Sequence, residues 1–184
     1  MEQEVGNIAP AQRRIVGDCL FSRPKPAFIR RHLIDPLALD PAQTRLWRGD
    51  ACDADAELRA LEATIRAWGG IDLAILGLGR NGHVAFNEPG TPREARAHLA
   101  ALSDSTRAAA RAADGWEAPA EGFTLGLANL LEARRLLLLV AGEGKEEARR
   151  ALYRGIEDPR WPVTRLLGHP DLTVIELGAR GDRP

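Results

Sequence analysis

The stretch Ile71 to Gly90, IDLAILGLGRNGHVAFNEPG, constrains the chain more than any other. Its apolar run from Leu73 to Leu76 has the length and composition of a buried strand in a parallel sheet. The run gives way at once to Gly77, Gly79 and Gly82, then to His83, Asn87 and Glu88. Glycine opens backbone conformations closed to other residues and lets a ligand come close. Strand, glycine turn and polar cluster is the order expected where a ligand sits beyond the carboxyl ends of the strands in an open α/β sheet. A solvent-facing site is therefore expected at this turn.

The same letters spell G-x-G-x-x-G. A dinucleotide fingerprint must open a helix whose N-terminus receives the pyrophosphate, with an acid about 20 positions on. Pro89, Gly90 and Pro92 cut such a helix short, which argues against it, and no Gly-Lys-Ser/Thr follows to make a P-loop. What remains is His83 with Glu88 five residues on and Asn81 two residues before it. A carboxylate can fix an imidazole's tautomer and raise its basicity, so the pair can move a proton near neutral pH. A histidine that merely satisfies a turn, with Asn-Glu-Pro as a second turn, is the other reading of these residues.

GLGRNGHVAFNEPG resembles the signature of the glucosamine-6-phosphate and galactosamine-6-phosphate deaminase/isomerase family, related in fold to 6-phosphogluconolactonase. The lactonases typically continue with an SLFP-like segment, where this chain has Ala85-Phe86-Asn87-Glu88-Pro89. The resemblance therefore favours the amino-sugar phosphate branch. It implies that His83 is the ring-opening acid/base, supported by Glu88 and Asn81, with Gly79 and Gly82 lining the substrate. Some members carry Asp at the position of Asn81; an amide can hydrogen-bond but holds no charge, so its role here would be orientation. The resemblance runs from about Phe28 to Leu177 and implies an α/β domain with a wound, mostly parallel sheet flanked by helices.

Composition narrows the partners. A length of 184 residues suits one domain with a sizeable core. Residues 27–178 are read as that domain, 1–26 as a divergent N-terminal segment and 179–184 as a tail. The net charge of −1 gives no general attraction to nucleic acid or anionic membrane, so any anion site must be local. Cys19 and Cys52 make neither a metal motif nor a disulfide framework and suit a reducing compartment. No signal peptide or membrane-spanning run is apparent, which makes the cytoplasm the default. A small-molecule sugar phosphate is the expected partner, no metal or organic cofactor is implied, and the reading allows a homo-oligomer without requiring one.

The rest of the chain alternates helical and strand patterns, as a wound α/β fold requires. Helical spacing is read over Ala27 to Leu37, Asp53 to Ala67, Thr106 to Ala113 and Glu146 to Tyr153. Strands are read at Arg45 to Arg48, His98 to Leu102, Leu136 to Val140 and Leu172 to Leu177. Ser103 or Asp104 is the expected cap of the third helix. His32, His98 and His169 are read as structural.

A second locus is Ala141-Gly142-Glu143-Gly144-Lys145. A helix starting there would offer free N–H groups and its positive dipole end to an anion, with Lys145 adding a full charge. Lysine otherwise occurs only at Lys25. Members of the resembled family place a phosphate-binding lysine here and a phosphate arginine near Arg111, from which Arg111 is offset by about one position. The family's N-terminal phosphate loop and Asp-Glu base are not evident; Asp18, after Arg14-Ile15-Val16-Gly17, is the candidate for the base that takes the C2 proton. The implied reaction is aldose-to-ketose isomerisation of an aminohexose 6-phosphate with loss of ammonia. Two rivals stand beside it: lactone hydrolysis, and sugar-phosphate binding by an impaired, non-catalytic homologue.

Overall fold

The computed structural model describes residues 15–17, 29–49, 51–114 and 118–177, with 15–17 and 113–114 described by backbone alone. Seven strands are described: β1 (Ile15–Gly17), β2 (Thr44–Leu46), β3 (Leu73–Gly77), β4 (His98–Ala101), β5 (Glu121–Thr124), β6 (Arg135–Val140) and β7 (Leu172–Glu176). Four α-helices lie between them: α1 (Ala54–Ala67), α2 (Asp104–Asp114), α3 (Leu127–Leu131) and α4 (Glu146–Tyr153). β3, β6 and β7 form a parallel sheet in that order, β1 pairs parallel with β2, and β4 pairs antiparallel with β5. The expected mixture of helices and parallel strands is present, with an antiparallel pair added.

Parallel pairing of β3 with β6 sets Gly77 opposite Leu139. The turns that follow these two strands, one carrying His83 and the other Lys145, therefore emerge side by side at one edge of the sheet. Beneath them lies the core. Leu136, Leu138 and Val140 on β6 pack with Ala74 and Leu76 of β3, Leu61 of α1, Leu152 of α4 and Val163. Each such buried leucine contributes roughly 1.5–3 kcal/mol.

Local chemistry explains most element ends. The Asp53 side chain accepts from the Ala56 N–H at 2.9 Å and starts α1, while Gly69 and Gly70, at φ +86° and +97°, turn the chain toward β3. α1 also carries a buried acid, Glu57, whose carboxylate accepts from Arg45, Arg48 and the Arg48 backbone N–H. Burial alone would raise its pKa; those donors outweigh burial and hold it below the usual carboxylate range.

Three expectations are corrected. The helix read over Ala27 to Leu37 is a single wide turn, Arg30–Ile34, within the described residues. Pro36 cannot donate to a helical ladder, and the turn closes through Asp35 N–H to Arg30 O and Leu39 N–H to Ile34 O. The strand read at Arg45 to Arg48 lies at Thr44–Leu46, because Trp47 turns into the core, where it stacks on Phe123 with ring centroids 5.3 Å apart. The strand read as buried at Leu73 to Leu76 is buried on one face only: Ala74 and Leu76 are covered, but Leu73 is 46% and Ile75 61% exposed.

Candidate active site

The polar turn begins where β3 ends. Val84 bridges to both Leu78 and Asn87, and Gly79 N–H donates to His83 O at 2.9 Å, so the chain folds back over its own glycines. Ala85 sits at φ +51°, a conformation costing about 1 kcal/mol for a residue with a Cβ. Its neighbours hold it there: Phe86 N–H donates to Thr124 Oγ1, and the Asn87 amide donates to Val84 O and Leu125 O. Asn87 is fully buried and serves the turn.

The glycines work inward. A Cβ on Gly79 would lie 2.3–2.4 Å from the His83 ring, and one on Gly82 would lie 2.7 Å from the Trp161 ring. Gly82 alone of the three takes a positive φ, +81°, whereas Gly77 has neither a positive φ nor a close neighbour. The space that a Cβ would take at Gly79 and Gly82 is occupied by the imidazole and the indole.

His83, Asn81 and Glu88 come together with Ser103 and Thr106 from the start of α2. Glu88 accepts from Asn81 Nδ2 at 2.5 Å and from the Thr106 hydroxyl at 2.6 Å. With its amide nitrogen spent on Glu88 and Ser103, Asn81 turns Oδ1 to His83, accepting from the backbone N–H at 3.2 Å and facing Nδ1 at 2.8 Å. Thr106 Oγ1 lies 3.1 Å from the same Nδ1 and, having donated to Glu88, can only accept there. The network thus assigns the proton to Nδ1 and leaves Nε2 as the basic nitrogen. Glu88 Oε1 is 3.9 Å from Nδ1, so the carboxylate acts on the ring by its charge, while Asn81 and Thr106 link the two by hydrogen bonds.

Ser103 joins the pieces: its hydroxyl accepts from the Thr106 N–H at 3.2 Å, capping α2, and lies 3.0 Å from Thr106 Oγ1. Ser103 was expected as a cap, but its bond to Asn81 and the bridge through Thr106 were not foreseen. Asp-Ser-Thr-Arg lies 20 or so residues beyond the turn, and only the fold brings it there. The short S-x-x-T spacing was the available signal.

Lys145 immediately precedes α4 and is half-buried. Burial lowers its pKa first, and the neighbouring Arg80 charge lowers it further. Its charge reaches His83: burial pushes the imidazole below its ordinary value, Glu88 pulls it up, and Lys145 pushes it down again. A neutral imidazole at neutral pH results. Arg111 is on the last turn of α2, exposed and lining a groove of about 360 Å³ with Asp104, Arg107 and Ala118. Asp18 follows β1 but lies outside the described residues. His169 is a satisfied core residue, with Nε2 2.8 Å from Ala133 O and Nδ1 accepting from the Asp171 N–H. His32 is exposed, and His98 Nδ1 lies 2.8 Å from Arg96 O. Among the described residues no group of three or more His, Cys, Asp or Glu could hold a metal, and no helix is long and apolar enough to cross a membrane.

The chain is similar to known proteins in sequence and in fold. Residues 25–174 match the family described as glucosamine-6-phosphate isomerases/6-phosphogluconolactonase. A glucosamine-6-phosphate deaminase of Exiguobacterium sp. is 39% identical over 158 residues, covering 85% of this chain and 61% of its own length. That of Lysinibacillus sphaericus is 37% identical over 153 residues, covering 82% and 65%. The chain thus spans less than two thirds of the length of the curated relatives it matches. A solved monomeric glucosamine-6-phosphate deaminase of the NagB superfamily superposes with a TM-score of 0.76 at 34% identity, over 81% of this chain and 63% of that one. A 6-phosphogluconolactonase from Shewanella baltica superposes at 0.62 with 17% identity, over 84% and 65%, a likeness of fold alone. With a matched stretch that runs from before β2 into β7 and takes in the whole His83 turn, the chain belongs to the glucosamine-6-phosphate isomerase/6-phosphogluconolactonase family.

Proposed function

We propose that the site converts an aminohexose 6-phosphate and water into a ketose 6-phosphate and ammonia, in the cytoplasm. The observation that carries the reading is the hydrogen-bonded set Asn81, His83, Glu88 and Thr106, which leaves Nε2 of a neutral imidazole free beside a half-buried lysine. Nε2 would take the proton of the sugar's anomeric hydroxyl and return it to the ring oxygen, opening the ring. A base would then move the C2 proton to C1 through an enolamine, and water would displace ammonia from the resulting C2 imine. Lys145 would hold the phosphate. The relatives named as glucosamine-6-phosphate deaminases favour this over lactone hydrolysis.

Among the described residues, Glu88 is the only carboxylate whose charge acts on His83, and it already accepts from three groups. The C2 base is assigned to Asp18. The test is ammonia release from glucosamine 6-phosphate and galactosamine 6-phosphate, run beside lactone hydrolysis, for the wild-type chain and Asp18→Asn. Turnover on an amino sugar that Asp18→Asn nearly abolishes, with substrate binding kept, is expected. Binding without ammonia release from the wild type would mark a sugar-phosphate-binding homologue, and unchanged turnover in Asp18→Asn would remove that residue from the reaction.

A further inference from the structure

Arg80 stands between Gly79 and Asn81, yet its side chain reaches away from the His83 turn to the one after β6. A Cβ built on Gly144 would meet Arg80 Nε at 3.2 Å, Cδ at 3.4 Å and Cζ at 3.5 Å. Gly144 is at φ +75°, so a glycine suits this position twice over: for the turn, and for the guanidinium lying across its Cα. The next residue is Lys145. Two cationic side chains from different turns are therefore held side by side at the edge of the sheet where His83 sits.

Nine of the described arginines are paired with acids. Arg45, Arg48, Arg93, Arg96, Arg107, Arg134, Arg149, Arg160 and Arg165 each pair with a carboxylate, but among the described residues no carboxylate pairs with Arg80 or Lys145. Placing two like charges together without an acid is unfavourable in the empty site and favourable once a dianion lies between them. Guanidinium and phosphate also match in shape, with paired N–H donors facing paired oxygens. Arg111, the arginine expected from the sequence to help, lines the groove beside Arg107 on α2.

We infer that Arg80 is the second cation of the phosphate subsite, clamping with Lys145 the dianionic phosphate monoester of the substrate and so selecting phosphorylated over free sugars. This rests on the sugar-phosphate reading above and names a residue for it. The experiment measures binding of glucose 6-phosphate, inorganic phosphate and glucosamine to the full chain by calorimetry, for wild type, Arg80→Gln and Arg80→Lys, with melting curves as a check on folding. Loss of one charged hydrogen-bonding group should weaken glucose 6-phosphate on the order of ten- to a hundredfold in Arg80→Gln. Arg80→Lys should recover part of the loss, glucosamine should bind all three proteins alike, and the difference should shrink as salt is raised. Wild-type affinity for glucose 6-phosphate in a folded Arg80→Gln, or no phosphate-dependent binding by the wild type, would overturn the inference. Because none of these arms needs turnover, a chain that binds the phosphate through Arg80 but releases no ammonia would defeat only the catalytic reading.

Discussion

The His83 turn and the outer face of the β3–β6–β7 sheet are built from neighbouring residues by opposite means. At the turn, the polar side chains around His83 bond to one another: Asn81 to Glu88, Glu88 to Thr106, and Thr106 to Ser103. On the sheet, alternation sends Ala74 and Leu76 inward, while Leu73, Ile75 and, on β7, Ile175 stay exposed on the other face. Parallel strands are ordinarily covered on both faces. The site is therefore held by polar pairing within its own turn and with the start of α2.

The largest effect expected is at the turn. His83→Asn removes the basic nitrogen, so ammonia release should fall by roughly 10²- to 10⁴-fold while the melting temperature stays near that of the wild type. In the wild type, burial and Lys145 hold the imidazole below its ordinary value of about 6.5. Since the neutral ring is the active form, kcat/KM should stay flat to lower pH than an ordinary histidine permits and drop as pH falls through the folded-state pKa. A histidine titration followed by NMR should show the same pKa, and Lys145→Gln should raise it.

Gly79→Ala comes next, because its methyl would occupy the His83 ring position. Displacing the ring should cost about 1–3 kcal/mol of stability as well as activity. Denaturant unfolding and turnover should fall together; a Gly79→Ala protein as stable and active as wild type would show that the ring has room to move.

Thr106→Val is a smaller and more selective change. It keeps the shape but removes the hydroxyl that donates to Glu88 and meets His83. A loss of about tenfold in kcat/KM is expected, about one hydrogen bond to a charged group, with Thr106→Ser restoring most of it. Failure of Thr106→Ser to restore activity would point to packing by the methyl group.

The smallest effect belongs to the open face. Ile75→Thr should change unfolding free energy by no more than about 0.5 kcal/mol, as for other exposed positions, whereas Leu138→Ala on the covered side should cost about 2–5 kcal/mol. A large loss at Ile75 would mean that this face is covered in solution.

Much was legible in the sequence where spacing does the work. Asn81, His83 and Glu88 lie within one turn, so their meeting needed no long-range contact. Asp53 was readable as a helix start from a short polar residue before an apolar stripe, and Glu146 to Tyr153 from helical spacing. The unbroken apolar run Leu136 to Val140 carries no alternation, so its letters do not reveal that Leu136, Leu138 and Val140 are buried while Leu137 and Leu139 are half-buried.

The sequence by itself determined the strand, the glycine turn, and the histidine with its amide and carboxylate, because each depends on neighbours a few residues apart. Only the tertiary structure decided what surrounds them. The parallel register of β3 and β6 brings the turns carrying Arg80 and Gly144 together, and the placement of α2 brings Ser103 and Thr106 to Glu88. Contacts between residues so far apart along the chain follow from which strands pair and which helix faces are buried. No local spacing encodes those choices, so the tautomer of His83 and the pairing of Arg80 with Lys145 could be read only from the folded chain.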